Sequence, residues 1–200
     1  MSDWSGNSNS IWKTIGASNH TEKEREPNEF YATSPIAIDK LAKAFDIPHK
    51  VWEPACGGGH LARRLEELGH EVVATDLVYR GYGIGSVDFL MTRDAPLGTD
   101  CILTNPPYKM STEFVEHALR LMGDKPVVML LKTQALEGKS RFERLYRNGW
   151  LHEVYQFKER LLCAKNGEFE RMREGGGSAV AYAWYVFRGV PSENTIVKWI

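Results

Sequence analysis

Asn105-Pro106-Pro107-Tyr108 joins four residues whose types suit one reaction, group transfer to a poorly nucleophilic planar amine. The lone pair of an amide-like or aniline-like nitrogen is delocalised, so a site must draw it out of the π system. The Asn105 side-chain oxygen and the Pro106 carbonyl can each accept one N–H of an NH2 group. That orients the nitrogen and favours its pyramidalisation during in-line attack on an electrophile. The prolines stiffen these acceptors, because Pro106 biases Asn105 to extended backbone and neither ring carries an N–H to occupy a neighbouring carbonyl. Tyr108 offers a π face on which a planar substrate stacks.

A second constellation is Glu53-Pro54-Ala55-Cys56-Gly57-Gly58-Gly59-His60, placed where a strand hands over to a helix. That is the carboxyl edge at which open α/β sheets bind ligands. Glycines there let the backbone turn tightly, adopt positive φ and bring bare amides near a ligand, which makes Ala55, Gly57 and Gly59 candidate contacts. The loop lacks the lysine and hydroxyl of a phosphate-binding P-loop and is not G-x-G-x-x-G, since Leu61 and Ala62 follow Gly59. Asp76 lies 23 positions after Glu53, at the expected end of the next strand, where a carboxylate accepts both hydroxyls of a ribose. Asp88-Phe89 follows Gly81, Gly83 and Gly85. Its carboxylate suits an adenine amine, with the Phe89 ring beside the base, or else a turn cap. Together these residues favour a nucleoside-containing cofactor.

The elements that would position them alternate in type. Ser34-Pro35 reads as an N-cap followed by a first-turn proline, opening a helix that runs to about Phe45. Strands are expected at Val51–Ala55, Glu71–Leu77, Cys101–Thr104, Val127–Leu131 and Glu153–Phe157, with helices at Leu61–Leu68, 111–122 and 139–147. Continuous apolar runs mark strands covered on both faces, hence a largely parallel sheet flanked by helices. Ala179–Phe187 and Thr195–Trp199, separated by Arg188-Gly189-Val190-Pro191, suit an antiparallel hairpin at one edge. Residues 1–28 hold too few large apolar side chains for a core of their own, so a flexible leader is expected before a single domain at 29–200, although the spaced Trp4 and Trp12 also suit a segment that docks on the domain or orders around a ligand.

Composition sets outer limits. The 200 residues, 42% apolar, suffice for one core. With 25 basic and 26 acidic side chains the formal net charge is -1, so any polyanion partner must meet a local basic patch. Three scattered cysteines make no closed disulfide framework and suggest a reducing, cytoplasmic setting. No apolar run is long enough for a membrane span, and the N-terminus lacks a secretory pattern. The six histidines lack paired zinc-ligand spacing, so no metal site is expected. Cys56 lies in the cofactor turn, where the acceptor chemistry of Asn105 leaves a covalent nucleophile without a task.

Taken together, the glycine loop and N-P-P-Y resemble an S-adenosylmethionine-dependent N6-adenine DNA methyltransferase. Phe30-Tyr31-Ala32-Thr33-Ser34-Pro35 resembles the motif that precedes the cofactor loop in adenine methyltransferases, which implies that Tyr31 and Thr33 contact the methionine part of the cofactor. The chain is most similar to the compact phage and prophage type, in the order of its motifs, in K-N-G-E-F at 165–169, in G-S-A-V-A-Y-A-W at 177–184 and in its I-V-K-W-I ending. The resemblance implies the Rossmann-like class I methyltransferase fold: a mostly parallel seven-stranded sheet with a C-terminal antiparallel hairpin. It implies a catalytic Asn105, Pro106, Pro107 and Tyr108, DNA as the partner, and a host cytoplasm if phage-encoded. An adenine inside a duplex would have to be flipped out to reach the site. Lys158, Arg160, Lys165, Arg171 and Arg173, near Gly175-Gly176-Gly177, could contact phosphates, although Glu159, Glu168, Glu170 and Glu174 interleave with them. Larger relatives carry a separate target-recognition domain that 200 residues do not accommodate.

Two other substrates fit the same amine chemistry. An unpaired RNA adenine would enter the pocket without the cost of flipping. N-P-P-Y also occurs in enzymes that methylate a glutamine side-chain amide, but these usually carry a sizeable helical N-terminal region, and here only about fifty residues precede the first expected sheet strand.

Overall fold

The computed structural model describes residues 31–165 and 180–200. The expected leader at 1–28, the side chains of Tyr31 and Lys165, and the stretch carrying Arg171, Arg173 and Gly175–Gly177 lie outside the described residues. In chain order the elements are β1 (Tyr31–Thr33), α1 (Ile36–Ala42), β2 (Lys50–Glu53), α2 (His60–Glu67), β3 (Glu71–Ala74), β4 (Cys101–Thr104) and α3 (Ser111–Met122). They continue with β5 (Val127–Lys132), the short helix α4 (Lys139–Arg141), β6 (Leu151–Gln156), β7 (Cys163–Lys165), β8 (Tyr182–Phe187) and β9 (Ile196–Trp199).

Seven strands form one sheet in the order β3-β2-β4-β5-β8-β6-β9, and β1 pairs with β7 in a separate two-stranded ribbon. Only β8 runs against its neighbours in the large sheet. Alternate side chains serve two cores. Val51, Leu103, Val128 and Trp184 pack with Ile38 and Leu41 of α1 and with Leu61 and Leu65 of α2. Trp52, Ile102, Met129 and Tyr185 pack on the other face with Phe114, Val115 and Ala118 of α3. Strands covered on both sides are buried at every position, as β4 and β8 are.

The tail departs from the expected hairpin. β9 runs opposite to β8, but β6 lies between them, antiparallel to β8 and parallel to β9. The reason is burial: every residue of β8 is buried and needs a strand on each side, whereas every residue of β9 is exposed and suits an edge. The Arg188-Gly189-Val190-Pro191 link makes no tight turn. Gly189 N–H donates to the Gly123 carbonyl at 2.7 Å, which pins the link to the turn after α3.

Two local expectations also change. α1 starts at Ile36 without a side-chain cap; Ser34 contributes its backbone carbonyl, which accepts from Ala37 N–H at 3.0 Å. The helix expected at 139–147 is a single α turn that widens into a π segment, Phe142–Tyr146. The Arg141 guanidinium binds the carbonyls of Ala135 and Glu137, and Arg144 reaches Glu113 and Glu116 on α3, so this stretch is tied to its surroundings instead of to a regular helical ladder.

Trp184 joins the layers, since it is fully buried and its Nε1–H donates to the Ala37 carbonyl at 3.1 Å. Trp184→Ala should cost about 3 to 5 kcal/mol in urea unfolding, from the cavity and the lost hydrogen bond. Trp199→Ala, at the 64% exposed edge position, should stay within about 0.5 kcal/mol of the wild type. Equal costs would contradict the assignment of β8 to the centre and β9 to the rim.

Candidate functional site

Strand order reverses between β2 and β4, because β3 lies on one side of β2 and β4 on the other. The crevice outside their carboxyl ends is where such sheets bind ligands. A cleft there is lined by Thr33, Glu53, Ala55, Gly57 and Asn105, five of the residues singled out from sequence. Ala32, Cys56, His60 and Leu61 complete its wall.

The glycine loop is shaped by its neighbours as much as by the space it leaves. Cys56 N–H donates to the Thr75 carbonyl at 3.0 Å, and Trp52 Nε1–H donates to the Thr75 hydroxyl at 3.0 Å, so the loop and the end of β3 move as one body. Gly57 and Gly59 both have positive φ, at 53° and 79°. A Cβ on Gly59 would overlap the Tyr82 ring, which lies against the loop beneath the Arg63 guanidinium. Steric need at Gly59 therefore comes from Tyr82, a residue that sequence reasoning passed over.

Asp76 takes on a task that its spacing did not announce. Its Oδ2 accepts from Gly57 N–H at 2.8 Å and its Oδ1 from Val78 N–H at 2.9 Å. The carboxylate fixes the loop from across the crevice. A carboxylate offers about four lone-pair sites, so acceptor capacity remains for hydroxyls.

Glu53 is 2% exposed. Ala62 N–H donates to its carboxyl, yet Oε2 is buried without a hydrogen-bond partner. Burial first, and the nearby Asp76 charge in addition, push its pKa well above the usual carboxylate range. His60 is likewise pushed toward its neutral form by burial and by Arg63.

Asn105 follows β4 directly, and its Nδ2–H donates to the Thr33 hydroxyl at 2.9 Å. Thr33 is 3% exposed and sits opposite Cys163 in the β1–β7 ribbon. The Cys163 thiol, hydrogen-bonded to Thr33, Tyr108 and Tyr182, is pushed up to about 12 by burial. Pro106 is buried, and Pro107 opens the 3-10 turn Tyr108–Met110, its carbonyl taken by Met110 N–H at 2.9 Å. The Tyr108 ring lies 5.8 Å from that of Tyr182 at a 30° tilt, with Lys132 Nζ 4.8 Å from its centroid. Burial pushes the Tyr108 phenol far up, so it stays neutral.

Asp88 and Phe89 stand apart from this group. Asp88 Oδ1 accepts from Leu90 N–H at 3.0 Å, as the cap of the 3-10 turn Phe89–Met91. Phe89 is 2% exposed and its ring packs on Trp52, Phe114 and His117, so the expected place beside a base gives way to a core position. Sequence reasoning missed Lys132, Tyr182 and Cys163. The end of β5 was a usable signal for Lys132, since strand ends face the crevice; nothing local points to Cys163, which arrives through the ribbon.

No protein-family model matches the sequence, and no curated protein matches it. Solved structures do match the fold. A protein designated a modification subunit of a type I restriction enzyme from Vibrio vulnificus YJ016 is 15% identical with a TM-score of 0.58, over 96% of this chain and 50% of that one. One designated an RNA methyltransferase from Pyrococcus horikoshii is 16% identical with a TM-score of 0.55, over 80% and 84%. One designated a class I S-adenosylmethionine-dependent methyltransferase from Listeria monocytogenes is 11% identical with a TM-score of 0.52, over 82% and 62%. The chain thus spans about half of the Vibrio protein and under two thirds of the Listeria one. At these identities the likeness is one of fold, and the fold of this chain is the Rossmann-like fold of class I methyltransferases.

Proposed function

We propose that this chain transfers a methyl group from S-adenosylmethionine to the exocyclic N6 amine of adenine in DNA. The observation that carries the reading is the orientation of Asn105. With an amide N–H donating to buried Thr33, the oxygen end of Asn105, itself buried beside the cleft that also holds Glu53, is the end assigned to a substrate amine.

The residues of the cleft fit the cofactor. Glu53 Oε2 is a buried acceptor lacking a partner, and an α-ammonium placed against it would supply both the hydrogen bond and the charge that lets the carboxyl ionise. Asp76 has lone pairs left for ribose hydroxyls. The cofactor supplies an electrophilic sulfonium methyl. Asn105 Oδ1 and the Pro106 carbonyl accept the two amine N–H groups and aim the nitrogen lone pair in line. Tyr108, neutral and backed by Tyr182, stacks the base. No strong base is needed, because the nitrogen becomes acidic only as its bond to carbon forms, and its proton can then pass to water. Adenine is favoured over the other amines by the resemblance of the Phe30–Pro35 motif, the glycine loop and N-P-P-Y, in that order, to adenine methyltransferases.

Asn105→Ala should lower methyl transfer roughly 100- to 1000-fold, the usual loss for one preorganised polar group. Cofactor affinity should stay within a few-fold by calorimetry. Tritiated methyl transfer to duplex, mismatched and single-stranded DNA tests the substrate. Uptake by none of these, from a wild type that binds cofactor, would move the assignment to RNA or to a glutamine amide.

Glu53 gives a prediction with a pH sign. From about pH 4.3, where an unfolded glutamate ionises, up to its raised folded value, the folded protein keeps a proton that the unfolded chain has lost. Stability therefore falls as pH rises through that window. Glu53→Gln should melt higher than the wild type at pH 7.5 without cofactor, with the gap closing near pH 4. The same variant should bind S-adenosylmethionine about 10-fold or more weakly, since a hydrogen bond to a charged group is lost. A variant that melts lower, or binds equally well, would remove Glu53 from the assigned role.

A further inference from the structure

We propose that Lys132 is a positioning residue that holds the Tyr108 ring face in the empty enzyme and passes to a nucleic-acid phosphate when a base takes that face. This rests on the stacking role given to Tyr108 above.

Lys132 ends β5 and is the direct ladder partner of Tyr182 on β8. Partner residues of an antiparallel pair project to the same face of a sheet. Both reach the same ring: Tyr182 flanks Tyr108 at 5.8 Å, and Lys132 Nζ lies over it at 4.8 Å. The ring of the N-P-P-Y motif is therefore seated on a cross-strand pair. Lys40, Lys50, Lys125 and Lys198 each have a carboxylate partner. Lys43, Lys109, Lys139 and Lys158 are exposed, whereas Lys132 is half-buried and, among the described residues, faces the Tyr108 ring with no ion pair.

A half-buried cation held by a ring quadrupole alone has electrostatic capacity to spare for an anion. A base that stacked on the face over which the ammonium lies would have to displace it. The two facts have one resolution. An extruded nucleotide brings phosphates on either side of its sugar, within reach of a lysine whose flexible four-carbon stem moves its charge several ångströms with no backbone shift. Base insertion and phosphate capture are thereby coupled: each vacates or fills the place the other requires.

Lys132→Met and Lys132→Arg, compared with the wild type, test this. Binding to a single-stranded adenine-rich oligonucleotide and to a duplex with one mismatched adenine is measured across a salt series, with S-adenosylhomocysteine present to prevent turnover. Loss of one phosphate contact should lower the slope of log K against log salt by about 0.7 on the single strand and about 0.9 on the duplex. The Met variant should show that change, binding more weakly at low salt and converging with the wild type at high salt. The Arg variant should keep the wild-type slope, and both should bind cofactor as the wild type does. If Lys132 merely props the ring, the Met variant will lose turnover with its salt slope intact, and the inference is overturned. If the wild type neither binds nor methylates any of these DNAs, it is the proposed substrate that fails.

Discussion

Everything at the site depends on β2 being paired on both sides by parallel neighbours. Glu53 pairs with Ala74 of β3, and Trp52 with Ile102 of β4, so three carboxyl ends finish side by side. From that single constraint follow the position of Glu53 at the floor of the cleft, of Asp76 two residues beyond β3, and of Asn105 one residue beyond β4. The turns that leave the three ends must diverge to avoid one another, and the space between them is the cleft. Its floor is rigid because Thr75 is bonded by both the backbone of Cys56 and the indole of Trp52. A substitution that slipped β2 by one residue would turn Glu53 to the other face of the sheet and dismantle all of this at once.

Burial acts on four ionisable groups around the cleft. Glu53, His60, Tyr108 and Cys163 are each pushed toward the uncharged form by burial. The arrangement costs stability, and Glu53 carries the plainest share of that cost with one oxygen buried and unmatched. That unmatched buried acceptor is itself an argument for a ligand.

Elements governed by local pattern were legible in the sequence. Cys101–Thr104 and 111–122 were expected with the bounds the structure has, because apolar continuity and amphipathic period report burial directly. Elements governed by partners were not. The expected tail hairpin followed from sequence adjacency, but adjacency cannot show that Leu151–Gln156 inserts between the two strands. The same limit applies to side chains. Asn105 was legible because its motif is local. Thr33, read as a cofactor contact, orients the Asn105 amide from 72 residues away, a relation that exists only once the ribbon has formed. Phe89 shows the reverse error, in which a chemically suggestive neighbour of an acidic residue turned out to be core.

The reversed direction of β8 has a consequence for the site. Parallel strands present their carboxyl ends to the crevice, so their contributions come from the loops that follow. β8 arrives by its amino end, and the residue it brings is Tyr182, with Ala181 still bonded to Thr133 N–H at 2.9 Å. The antiparallel ladder then fixes Tyr182 opposite Lys132 with no freedom of register, because the β5–β8 pairing is continuous from Val127–Phe187 to Lys132–Tyr182. Tyr108 itself stands on a short 3-10 turn; seated on that pair, its ring is held by two buried strands, and the reversed strand β8 is what delivers the seat.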